Sequence, residues 1–108
     1  MKRIVCVAIF SLLVLPTMAN AGQEFAIRGV GNSSCGKYVR DDNLRKFALQ
    51  WVGGFTTAIN QMQAEVSTER TDMLKGADGD AIDVWMMNYC TQNPLKTIRE
   101  AASELVRQ

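Results

Sequence analysis

"DDNLRKFALQWVGGFTTAINQMQAEV", Asp41 to Val66, decides the fold. Leu44, Phe47, Ala48, Trp51, Val52, Phe55, Ala58, Ile59, Met62 and Val66 recur at steps of three and four, which gathers them on one face of a long amphipathic helix. Asp41 and Asp42 stand at its start, where carboxylates accept from the exposed N–H groups of the first turn and meet the positive end of the dipole. Gly53-Gly54 interrupts the run, and each glycine costs about 1 kcal/mol against alanine in a helix. The pair reads as a place where another helix packs closely, with a hinge as the other reading.

On the C-terminal side, "STERTDMLKGADGD", Ser67 to Asp80, is polar and without a period; it is a connection with room for one turn of helix around Thr71 to Leu74. "DAIDVWMMNYC" follows as a second helix with Ala81, Ile82, Trp85, Met86, Tyr89 and Cys90 inward, and with Asp78 and Asp80 as capping and first-turn residues. Asn93-Pro94 reads as a cap followed by proline at the first helical position, where its missing N–H does no harm. The third helix, "PLKTIREAASELVRQ", then buries Leu95, Ile98, Ala101, Ala102, Leu105 and Val106. Trp51, Trp85, Met62 and Met86 belong to the core in this pattern, while Met73 and Met87 are the candidates for the surface. On the N-terminal side, "FAIRGVGNSS", Phe25 to Ser34, is an extended Gly- and Ser-rich lead-in. No stretch alternates as a strand does and no repeat is present, so the expected fold is all-α, a bundle of three to five helices.

The first residues, "MKRIVCVAIFSLLVLPTMANA", carry Lys2 and Arg3, an apolar run from Ile4 to Leu15 and small residues at Ala19 and Ala21. They read as a secretory signal peptide over residues 1–21. The apolar run falls short of the roughly 20 residues that span a bilayer, and Pro16 breaks it. Residues 22–108 then form one helical domain. With Lys2 and Arg3 removed, ten basic side chains face eleven acidic ones, which gives no electrostatic reason to expect nucleic acid or an anionic membrane as partner. Cys6 leaves with the signal, so Cys35 and Cys90 remain as a single pair in an oxidising space, and a disulfide between them is expected. A domain this small benefits from such a staple.

The chain has no histidine, which removes Cys-His and Ser-His catalysis. With its thiols oxidised it also lacks the nitrogen and sulfur ligands that zinc prefers. Asp72, Asp78, Asp80 and Asp83 suggest a calcium loop, but counting from Asp72 puts Ala77 at the glycine position, and counting from Asp78 puts Tyr89 at the bidentate carboxylate position. Nothing in the acid spacing selects a catalytic pair. The expectation is a protein without enzymatic activity, cofactor or metal.

"SCGKYV", "WVGGF" and "DGDAIDVWMMNYCTQNPLKTIREAASEL" together resemble the Rap/Tai family of periplasmic immunity proteins, over most of the chain that follows the signal, from Cys35 to Leu105. Members of that family neutralise peptidoglycan amidases injected by type VI secretion. The resemblance implies a small helical, often dimeric, inhibitor in the periplasm, with a cell-wall amidase as its partner. The polar loop makes Arg70, Asp72, Lys75 and Asp78 the candidate partner-binding residues, because contacts concentrate on loops held by a rigid scaffold. The same architecture also resembles the Hde-type acid-stress chaperones. Below about pH 3 the carboxylates are neutral and the remaining positive charge repels itself, which makes an acid-activated chaperone the second expectation. An envelope interaction module without an enzyme target is the third.

Overall fold

Four side-chain caps set the helix boundaries in the computed structural model, which describes residues 25–69 and 71–108. The Ser34 hydroxyl accepts from Lys37 N and opens α1, Cys35–Arg40. The Asp41 carboxylate accepts from Leu44 N and opens α2, Asp42–Val66. Asp78 does the same for α3, Gly79–Gln92, by accepting from Ala81 N. Thr97 opens α4, Ile98–Leu105, with a reciprocal pair of bonds: its hydroxyl accepts from Glu100 N, and the Glu100 carboxylate accepts from Thr97 N. The described residues form no strand beyond an isolated bridge between Ser34 and Thr97, and the fold is all-α with one disulfide. The expected signal peptide, residues 1–21, lies outside the described residues, and so does Cys6.

The core is Cys35, Tyr38, Ala48, Val52, Met86, Cys90, Ile98, Ala101, Ala102 and Leu105, with contributions from every helix. Cys35 is bonded to Cys90, as expected. The bridge does not stand alone. Cys35 N donates to Lys96 O at 2.7 Å, Gly36 N to Pro94 O at 3.0 Å and Ile98 N to Ser33 O at 2.9 Å, so the start of α1 is stitched to the α3–α4 turn along its backbone.

Three expectations need correction. First, the third helix starts at Ile98 and not at Pro94. Asn93 closes α3, its backbone N–H and side-chain amide both donating to Tyr89 O, and Leu95 is 96% exposed in the turn that follows. The capping box at Thr97 satisfies two orphan donors at once, whereas a proline at the first position satisfies none.

Second, Phe47, Met62 and Val66 fit the helical period but lie exposed, at 69%, 67% and 83%. For Met62 and Val66 the reason is length. At 1.5 Å per residue the 25 residues of α2 run about 37 Å, against about 21 Å for the 14 residues of α3 and about 12 Å for the 8 of α4. The last buried residue of α2 is Thr56, and every residue from Gln61 to Glu69 is exposed. Among the methionines Met86 is buried as expected, but Met62 is on the surface while Met73 and Met87 are half-buried.

Third, no helix among the described residues approaches Gly53 or Gly54: a Cβ on either meets nothing there within 4 Å. The close approach occurs instead at the lead-in segment, which is wound into a 3-10 turn over Gly29–Asn32 where an extended run was expected. Trp51 lies across this turn and donates from its indole Nε1 to Arg28 O at 2.8 Å. A Cβ on Gly31 would sit 2.3 Å from the six-membered ring of that indole, and Gly29 has φ +72°. Only glycine fits beneath the ring at Gly31, and Gly29 adopts the left-handed conformation that glycine takes without penalty.

Candidate partner-binding surface

The sequence placed the candidate binding residues between α2 and α3. Asp72 is exposed, but both of its carboxylate oxygens are engaged within the loop. Oδ1 accepts from Leu74 N at 3.0 Å and Oδ2 from Gly76 N at 2.7 Å, so the side chain folds the loop around itself. That fold puts Lys75 at φ +53° and Gly76 at φ +80°. Asp78 caps α3. Of the four candidates, Lys75 alone among the described residues leaves an exposed charged group outside these local contacts; Arg70 lies outside the described residues.

The loop is tied back to the body at two points. Met73 N donates to Asn60 Oδ1 at 2.9 Å. Leu74 packs on the core and, with Met73, Lys75, Ile82, Trp85 and Leu105, lines a hollow of about 330 Å³. Between those anchors and the last buried turn of α2 runs an exposed finger, Gln61 to Glu69, whose large apolar side chains are Met62 and Val66. Both lie on the apolar face that the helical period defines, where Met62 is expected in the core.

A polar contact around the buried Tyr38 ties α1 and α3 to the N-terminal part of α2. Tyr38 is fully buried, and its hydroxyl donates to Asp83 Oδ1 at 2.6 Å across α1 and α3. Arg45 on α2 stands 3.9 Å from the same carboxylate and 2.8 Å from Asp42. Burial pushes the Tyr38 phenol well above the usual tyrosine range, and the neighbouring Asp83 carboxylate adds to the shift. The contact thus joins three helices through a hydroxyl that stays protonated. Its members were invisible as a set, because Tyr38, Arg45 and Asp83 fall on different elements.

Among the described residues no group of three or more carboxylates and thiols converges as metal ligands do, and no helix is long and apolar enough to cross a membrane. Comparison with models of known families, with curated proteins and with solved structures gives no match.

Proposed function

We propose that this chain is an exported inhibitor that acts by occlusion, of the kind represented by the Rap/Tai immunity proteins, with a peptidoglycan amidase as target and a homodimer as the working form. The observation that carries this reading is the overhang of α2. A helix that outruns its partners carries Met62 and Val66 beyond the core, on a body fixed by the Cys35–Cys90 bridge and the Tyr38–Asp83 contact. A pre-ordered protrusion enters a cleft without the entropic cost of folding on contact, and ordered apolar side chains at its centre are the type of group that dominates binding energy. The chain needs no chemistry of its own for this task. The resemblance of "SCGKYV", "WVGGF" and the Asp78–Leu105 stretch to the immunity family supports the choice of target.

The test is inhibition of a purified type VI amidase on peptidoglycan, paired with sedimentation of the free protein and of the mixture. The wild type is expected to bind and inhibit, and Met62→Asp with Val66→Asp to weaken inhibition more than tenfold, the scale of a lost hot spot. Because both side chains are exposed, the thermal midpoint of the double variant should stay put. Retained inhibition by that variant would overturn the assignment to the finger, and no inhibition of any amidase would overturn the target.

A further inference from the structure

Beside the disulfide, α1 and the α3–α4 turn enclose an open groove of about 480 Å³, within the range of small-ligand sites. Val39, Pro94 and Leu95 give it an apolar lining, and Gly36, Arg40 and Thr91 are among its other walls. Two features set it apart from an ordinary surface dip. The first is that Leu95 is 96% exposed while its backbone neighbours are tied down: Gly36 N donates to Pro94 O, Lys96 N to Asn93 O and Cys35 N to Lys96 O. An isobutyl group is thereby fixed at the groove with nothing covering it.

The second is Arg40. Its Nε donates to Gly36 O at 3.2 Å, and its Nη2 stands 3.7 Å from where a Cβ on Gly36 would be. The guanidinium therefore lies over the glycine, at the groove, and takes part in none of the ion pairs formed among the described residues. One of its five N–H donors is committed to Gly36. The others form a planar fork, and the group that matches such a fork is a carboxylate. Lys96, on the α3–α4 turn, is paired with Glu100 at 3.5 Å.

We infer that this groove binds the C-terminal residue of a peptide with an aliphatic side chain: the side chain seats against Val39, Pro94 and Leu95, and the terminal carboxylate is held by Arg40. The site is separate from the α2 finger and does not depend on what the finger blocks.

The experiment is a titration of the full, disulfide-bonded chain with N-acetyl-leucine, followed by the backbone amide signals in two-dimensional NMR. Saturable shifts are expected at Gly36, Thr91 and Leu95. N-acetyl-leucinamide, which has the same side chain and no charge, is expected to bind about tenfold more weakly, and Arg40→Gln to bring N-acetyl-leucine to the level of the amide. Leu95→Ala should weaken both ligands without moving the thermal midpoint, since the side chain touches almost nothing. Equal affinity for acid and amide, indifference to Arg40→Gln, or shifts scattered away from the groove would each overturn the inference. None of these outcomes bears on amidase inhibition, so the two proposals stand or fall separately.

Discussion

Glycine-to-alanine exchange at two positions of this chain should change stability in opposite directions. At Gly31 the new methyl would lie 2.3, 2.6 and 2.8 Å from three carbons of the Trp51 indole. No real contact is that short, so the ring must move. Movement breaks the bond from Nε1 to Arg28 O, which contributes about 1 kcal/mol, and overpacking at a close contact adds about 1–3 kcal/mol. A net cost of roughly 3 kcal/mol lowers the thermal midpoint by about 12–24 °C in a domain of this size. At Gly53 the methyl enters open space on a helix, and the gain in helix propensity is about 1 kcal/mol, or roughly 4–8 °C upward. Thermal unfolding of both variants by circular dichroism reads the two signs. The cause is isolated by repeating Gly31→Ala in a Trp51→Ala background, where the clash has been removed and the penalty should largely vanish. A Gly31→Ala penalty that persists unchanged without the indole would refute the clasp. A destabilised Gly53→Ala would show that something packs there after all.

Two further outcomes follow from the polar contacts. Tyr38→Phe removes a bond from a buried hydroxyl to a half-buried carboxylate and should cost about 1.5 kcal/mol in chemical denaturation; since the folded state holds the phenol proton more tightly than the unfolded chain does, the wild type keeps this stability below about pH 10, where a free tyrosine titrates, and loses it as the pH rises further, a dependence that Tyr38→Phe should flatten. Thr97→Ala should cost about 1 kcal/mol through loss of the α4 cap; the bond from Thr97 N holds the Glu100 carboxyl below its usual range, so Glu100 stabilises the fold above about pH 4.3 and ceases to as the pH falls, and Glu100→Gln should remove that step from the acid side of the denaturation profile.

Local signals were readable from the sequence where one element carries them whole. Asp41 and Asp78 cap their helices as their positions imply, and Cys35 and Cys90 had only each other to pair with. Where two local signals competed, the reading went wrong. Asn93-Pro94 and Thr97-x-x-Glu100 both mark helix starts, and the outcome depended on Pro94 O and Lys96 O being recruited by the backbone of α1, a contact more than fifty residues away in sequence. The period of α2 places Ala48 and Val52 on the buried face, yet Phe47 on the same period is exposed, and it says nothing of how far the opposing helices reach, so Met62 and Val66 fall beyond the core. The polar loop misled for a different reason: Asp72 and Asp78 have the composition of contact residues, yet both oxygens of Asp72 and Oδ1 of Asp78 accept from nearby N–H groups. The exposed Leu95 and the Arg40 fork beside it emerge only once α1 meets the α3–α4 turn.

Both sulfurs of the bridge belong to residues with no exposed surface. Thiol–disulfide exchange requires an attacking thiolate to touch a sulfur in line, so a reductant in solution has to wait until the domain opens. Oxidation state and foldedness are therefore locked into one variable: an intact molecule is closed to reductases, and one that has opened long enough to be cut loses the link that would bring its two halves back together.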